Sequence, residues 1–149
     1  MNSPIPFDAA TAAERAALQQ RVVQALSKAL PPDAILYTPE DTTPYECDGL
    51  TAYRERPLAV ALPETEAQVQ AVLRTCHQLQ VPVVARGAGT GLSGGAMPHR
   101  LGVTLSMARF NQIQTVDPVS RTAVVQCGVR NLAISEAAAP YGLYYAPDP

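Results

Sequence analysis

Two segments of the chain carry apolar residues at helical spacing, and each begins with residues that cap a helix. In the first, Thr11 and Glu14 form a capping box, and Pro31-Pro32 ends the segment. In the second, Thr65 and Gln68 form another capping box. The apolar positions that recur every three or four residues are Leu18, Val22, Leu26 and Ala29 in the first segment and Val69, Val72, Leu73 and Cys76 in the second. The pattern predicts two amphipathic helices with these side chains on their buried faces.

Unbroken apolar runs predict buried strands on both sides of the second helix, at residues 57–62 and 81–85. A strand, a helix and a strand within about thirty residues are typical of a βαβ unit with a right-handed parallel crossover. Three further strands are predicted at 103–106, 113–116 and 123–126. The predicted fold class is therefore α/β (α+β by some schemes), with a helical segment before the βαβ unit.

The remaining local signals predict loop, a turn and a third helix. Residues 33–56 mix one short apolar run, at 34–37, with acidic and proline-rich loop sequence, and we expect this stretch to pack on the domain that follows. Asp117-Pro118-Val119-Ser120 is typical of a turn between the last two strands. Residues 130–139 predict a helix that is capped by Asn131 and ends before Pro140.

Five of the chain's nine glycines lie directly after the second predicted strand. The run is Arg86, Gly87, Ala88, Gly89, Thr90, Gly91, Leu92, Ser93, Gly94 and Gly95. Glycine adopts positive φ and has no Cβ, so such a turn can aim several backbone N–H groups at one point. A nest of amides suits a phosphate or pyrophosphate. Hydroxyls of Thr90 and Ser93 and the charge of Arg86 would add to it, at the strand end where ligands of α/β sheets bind.

Two other nucleotide-binding motifs resemble this run, and both lack a required part. The stretch from Gly89 to Gly94 satisfies G-x-G-x-x-G, but a nicotinamide-binding Rossmann module needs a helix that opens from the loop. Residues 95–100 have no helical period. A Walker A loop is excluded because no Gly-Lys-Ser/Thr follows. On composition alone, a long surface turn remains the alternative.

Composition limits the classes of function. A chain of 149 residues with 47% hydrophobic and 16% charged residues is expected to fold around one core. Its net charge of −2 gives no basic field for nucleic acid. No apolar run approaches the ~20 residues of a membrane span, and residues 1–8 lack the features of a signal peptide. The expected location is the cytoplasm.

No metal site and no catalytic residue is predicted in this chain. The cysteines Cys47, Cys76 and Cys127 form no C-x-x-C, and the two histidines lack metal-ligand spacing, so reduced thiols are expected. Ser93 has neither a G-x-S-x-G context nor a plausible histidine base. The carboxylates and arginines that could approach a ligand are more typical of loop and surface positions: Glu46, Asp48, Arg100, Arg109 and Arg130.

The strand and loop at 83–95 resemble the pyrophosphate loop of the FAD-linked oxidases with the vanillyl-alcohol-oxidase (PCMH-type) fold. The other segments that match this family are residues 44–50, 56–58, 128–135 and 143–149. Within the family, the chain is similar to FAD-binding subunits of 2-hydroxy-acid dehydrogenases of the glycolate oxidase and D-lactate dehydrogenase type. One departure is Cys127, where relatives commonly have proline.

The resemblance implies FAD as the cofactor, with its pyrophosphate held by backbone amides of residues 86–95. It implies a flavin-dependent 2-hydroxy-acid (glycolate or D-lactate) oxidase or dehydrogenase, in which a hydride passes from the substrate α-carbon to flavin N5. The implied partners are a small 2-hydroxy acid and a separate iron–sulfur subunit. The implied location is the cytoplasm, or the inner membrane surface through partner subunits.

The resemblance also implies a division of the chain. Residues 1–55 would be a helix-and-loop elaboration, and residues 56–149 the first half of a PCMH-type FAD-binding domain. The apolar extended stretch at 143–149 suggests a fragment that is inactive alone, with the catalytic base elsewhere. The alternative is a small non-catalytic protein that binds a nucleotide or a partner.

Overall fold

The computed structural model describes residues 11–147, which form helices on a mixed sheet and a separate two-stranded ribbon. The helices are α1 (Ala12–Leu26), α2 (Pro39–Thr42), α3 (Glu66–Leu79) and α4 (Asn131–Ala138). The strands are β1 (Ile35–Leu36), β2 (Ala59–Ala61), β3 (Val83–Arg86), β4 (Val103–Ser106), β5 (Ile113–Asp117) and β6 (Thr122–Val125). Short 3₁₀ turns lie at Pro32–Ala34, Thr43–Tyr45 and Ala139–Tyr141.

Both predicted capping boxes are confirmed, at the starts of α1 and α3. The buried faces are narrower than predicted. Val22 and Leu26 of α1 and Val72 and Cys76 of α3 are buried, but Leu73 is 44% exposed because it lies at the border of its helix face. Helix α1 ends at Leu26, before the predicted Pro31 stop, and the exposed Ala29 therefore lies outside it.

The predicted cap of α4 is wrong. The N-cap is Arg130, in an extended conformation and without a side-chain cap bond, and Asn131 is the first helical residue. The Asn131 side chain instead donates to the Pro147 carbonyl at 3.2 Å, so it ties the following extended segment to the helix. Pro140 lies inside a 3₁₀ turn that continues from α4, where its fixed φ is tolerated.

The main sheet has the order β1-β2-β4-β3. Strands β2 and β3 both run parallel to β4, and β1 is antiparallel to β2. The predicted strand–helix–strand unit is therefore present, but its two strands are not neighbours, because β4 lies between them. All of β4 is buried, which is typical of a central parallel strand.

The core combines residues from before and after position 56. Helix α1 packs against α3 and β2. Leu30, Ala34 and Ile35 belong to the same buried cluster as β2 and β4. The segment predicted as loop at 33–56 thus contributes the edge strand β1 to the sheet. The domain boundary at residue 55 stays a prediction.

Strands β5 and β6 form an antiparallel ribbon, as their predicted positions suggest, with an irregularity between Ile113 and Thr115. The Asp117 carboxylate accepts hydrogen bonds from the Ser120 hydroxyl and from the N–H groups of Ser120 and Val119. These bonds fix the turn and hold the pKa of Asp117 below its usual range, with the hydroxyl as the largest cause. Arg121 follows at φ +54°. None of the helices described between residues 11 and 147 has the length and apolarity to cross a membrane.

Candidate functional site

The glycine loop (residues 86–95) begins at the carboxyl end of β3 and leads to β4 without a helix. Gly89 and Gly94 adopt φ values of +75° and +76°, a region that glycine enters without steric cost. A hydrogen bond from Met97 N–H to the Gly94 carbonyl (3.1 Å) closes the turn beyond the loop. The expectation that no helix follows the glycines is confirmed, so the loop lacks the Rossmann arrangement.

Three glycines of the loop leave open space where a side chain would stand. A Cβ built on Gly87, Gly91 or Gly95 would meet no atom of the described residues within 4 Å. These residues are exposed or on the loop surface, and their φ values are not positive. Neither packing nor backbone conformation therefore requires glycine at these positions. A bare backbone with empty space above it is what a phosphate needs to approach amide groups closely.

A cleft of about 720 Å³ lies beside the loop. Its lining comes from three parts of the chain at one edge of the molecule: Gly87, Ala88 and Thr90 of the loop, Ala108 and Asn111 after β4, and the stretch from the end of β6 into the first turn of α4, which supplies Cys127, Gly128, Val129, Arg130, Asn131 and Ala133. Backbone groups and small side chains dominate this lining, and Arg130 supplies a cation. The cleft therefore offers room and polar groups for a nucleotide-sized anion.

The wall opposite the loop is fixed by close backbone packing. Gly128 donates its N–H to the Phe110 carbonyl at 2.7 Å. A Cβ on Gly128 would overlap the Met107 carbonyl, so only glycine lets these two segments approach. The cofactor site predicted from the sequence comprises residues 86–95 and does not include this wall. The sequence signal for the wall is the family resemblance at residues 128–135, to which no role was assigned.

Only some of the predicted site residues lie at the cleft. Gly87, Ala88 and Thr90 line the cleft, whereas the other members of the loop do not. The Arg86 guanidinium is turned away toward earlier residues: Nη1 donates to the Cys47 carbonyl at 2.7 Å, and Cζ lies 5.6 Å from the centre of the Tyr45 ring. Thr90, Leu92 and Ser93 are exposed.

The other candidate side chains have structural partners. Arg109 bonds to Glu64 at 2.9 Å and to Asp33 at 3.0 Å, and so joins the start of α3 to the segment before β1. Glu46 pairs with Arg54 at 2.7 Å. His99 accepts a hydrogen bond from the Leu101 N–H at 3.1 Å. Within the described part of the chain, no three His, Cys, Asp or Glu side chains are grouped as metal ligands.

The chain is similar to known proteins. A family model described as FAD binding domain matches residues 57–149. Glycolate oxidase subunit GlcD of Escherichia coli (strain K12) is 62% identical over 128 residues, which are 86% of this chain and 26% of that protein. D-lactate dehydrogenase of Archaeoglobus fulgidus is 37% identical over 90 residues, 60% of this chain and 20% of that protein.

The fold also matches a solved structure. The crystal structure of p-cresol methylhydroxylase with substrate bound superposes with a TM-score of 0.74 at 24% identity, over 85% of this chain and 25% of that one. The chain spans about a quarter of the length of the curated relatives that it matches. The expected PCMH-type fold and the expected cofactor, FAD, are thereby confirmed. The chain belongs to the FAD binding domain family.

Proposed function

We propose that the glycine loop holds the pyrophosphate of FAD, and that the chain is the FAD-binding part of a flavin-dependent 2-hydroxy-acid oxidoreductase. The placement of the pyrophosphate is supported by one observation. Open space lies at Gly87, Gly91 and Gly95, in a loop beside a cleft of about 720 Å³. The packing of residues 11–147 does not require glycine at these positions, so a ligand that approaches the backbone is the simplest reason for it.

The residues suit the group that they would hold. Amides of the loop would donate to the phosphate oxygens, Thr90 would add a hydroxyl donor, and Arg130 on the facing wall would add a positive charge. The bound flavin would supply hydride acceptance at N5. The described residues would bind and orient it, and none of them is proposed as the base that takes the substrate's hydroxyl proton.

The names of the relatives support a substrate class and assembly with other subunits. Glycolate oxidase and D-lactate dehydrogenase are names for enzymes of small 2-hydroxy acids, which supports that substrate class for the whole protein. GlcD is named as a subunit, which supports assembly with other chains. We propose an iron–sulfur subunit as the electron acceptor, with the complex in the cytoplasm or at the inner membrane surface.

The test is a FAD titration of this chain, followed by flavin fluorescence, with Gly87→Val as the variant. Gly87 is exposed, and the Cβ of the new side chain meets no atom of the described residues within 4 Å, so the thermal unfolding midpoint should stay unchanged while FAD affinity falls at least about tenfold. The control is Ala123→Val, which adds bulk at an exposed site on β6 that does not line the cleft.

Equal FAD affinity in wild type and Gly87→Val would contradict the placement of the pyrophosphate. Binding of NAD or ADP that competes with FAD and reaches the same affinity would contradict a flavin-specific site. A folded wild-type chain that binds no FAD would overturn the proposal for this chain.

A further inference from the structure

We infer that residues 45–50, which precede the matched FAD-binding region, hold the glycine loop in its conformation, and that Arg86 is a positioning residue for the loop. The ligand in this inference rests on the proposed function. Residues 45–50 are called the 45–50 segment below. Two contacts join it to the glycine loop, and a third contact lies within the segment and fixes its shape.

The first contact is made by the Arg86 side chain. Its Nη1 donates to the Cys47 carbonyl at 2.7 Å, and its Cζ lies over the Tyr45 ring at 5.6 Å from the centre. The guanidinium also fills the place where a side chain on Gly89 would stand. It is therefore held between the 45–50 segment and the turn at Gly89. A planar fork that stacks and donates at the same time is particular to arginine, and lysine cannot reproduce it.

The second contact is made by backbone alone. A Cβ on Gly49 would lie 2.6 Å from the Thr90 carbonyl oxygen and 3.0 Å from the Gly91 carbonyl oxygen. Both carbonyl oxygens thus lie against Gly49 at a distance that only a glycine permits. The absence of a side chain at Gly49 lets the loop rest directly on the 45–50 segment.

The third contact fixes the shape of the segment itself. Asp48 is only 4% exposed, and its Oδ1 accepts the Leu50 N–H at 3.0 Å across the turn at Gly49. Such a local bond holds the turn in one conformation. The 45–50 segment is therefore a shaped support for the loop, and Arg86 is the side chain that fastens the two together.

The test compares Arg86→Lys, Arg86→Met and Gly49→Ala with wild type. Arg109→Lys is the control, because Arg109 also joins two segments but touches Asp33 and Glu64 instead of the loop. Arg86→Lys and Arg86→Met should weaken FAD binding to the same extent, by about tenfold or more, since the charge alone does not hold the loop. The dependence of FAD affinity on salt should stay as in wild type, because neither substitution removes a positive charge that contacts the FAD phosphates.

A second measurement needs no cofactor. The ¹⁵N heteronuclear NOE reports fast backbone motion, and it should fall at residues 89–92 in Arg86→Lys and Gly49→Ala but not in Arg109→Lys. Full rescue of FAD affinity by lysine, or a weaker salt dependence in Arg86→Met, would make Arg86 a phosphate ligand and overturn the inference. Unchanged NOE values at residues 89–92 would also overturn it. Loss of loop order in a chain whose wild type binds no FAD would support the inference and reject the proposed function.

Discussion

Glycines of the loop serve two different purposes. Gly89 has a positive φ, and the Arg86 guanidinium occupies the position where a side chain on Gly89 would lie. The folded structure therefore requires glycine at this position even without a ligand. Gly87 and Gly91 have ordinary φ values and open surroundings, so they concern what approaches from outside. Substitution of Gly89 should reduce both the stability of the fold and the affinity for FAD. Substitution of Gly87 or Gly91 should reduce the affinity alone.

The buried thiol of Cys76 makes stability depend on pH in alkaline solution. Cys76 is 1% exposed, and burial raises its pKa from 9.0 to about 11. Between these values the unfolded chain releases the thiol proton before the folded chain does. The contribution of this thiol to the free energy of unfolding is therefore fully present below pH 9. It should fall by about 1.4 kcal/mol per pH unit as the pH rises toward 11.

Urea unfolding at several pH values checks this expectation. Cys76→Ala should be less stable than wild type at pH 7, because it leaves a cavity, but its stability should decline less between pH 9 and 11. Parallel slopes for the two proteins would mean that Cys76 does not titrate in this range. Exposed Cys127 should react with iodoacetamide in the folded chain, whereas Cys76 should not.

At the scale of elements, local sequence was a good guide to what the chain forms and a poor one to how the parts pair. The capping boxes of α1 and α3 and the bounds of β4 depend on neighbouring residues, and they were predicted. The insertion of β4 between β2 and β3 depends on partners far along the chain, and no local pattern encodes it.

The candidate site divides in the same way. The glycine loop is continuous in sequence and its composition identifies it. The facing wall around Gly128 joins the loop only through the fold, so its part in the cleft could not be predicted. Asn131 was assigned to the wrong role because its bond partner, the Pro147 carbonyl, competes with the cap position.

The turn between β5 and β6 contains a correctable element. Arg121 adopts φ +54°, which is unfavourable for a residue with a Cβ. Arg121→Gly should raise the free energy of unfolding by about 0.5–1 kcal/mol, since relief of this conformation outweighs the greater freedom of glycine in the unfolded chain. Val119→Gly in the same turn has no positive φ to relieve and should lower stability. A loss of stability in Arg121→Gly, measured by chemical denaturation, would contradict the expected strain.

At the scale of the whole molecule, apolar surface is concentrated around α4 and the extended segment after it. Leu132 is 68% exposed and Tyr144 is 77% exposed. The two segments are joined by a hydrogen bond from the Tyr145 N–H to the Ser135 hydroxyl at 3.1 Å. Apolar side chains grouped on adjoining segments favour contact with other molecules.

We expect this chain to self-associate as its concentration rises. Leu132→Ser and Tyr144→Ser together should shift sedimentation velocity profiles toward the monomer. Tyr53→Ser removes a similarly exposed aromatic ring from another region and should leave the profiles unchanged. A wild-type chain that stays monomeric over the full concentration range would contradict the expectation.

The central position of β4 has a consequence for the order of folding. Strands β2 and β3 share no edge, so the parallel part of the sheet cannot form until residues Val103–Ser106 are available to both. During synthesis β3 leaves the ribosome first, and the chain then has to span the glycine run before the missing partner arrives. Bringing the ends of this stretch together lowers the conformational entropy of the chain, and this cost is offset only when β3 and β4 pair. The segment proposed to hold a ligand in the finished protein is thus also the one whose closure completes the sheet, and substitutions there should change the rate of folding as well as binding.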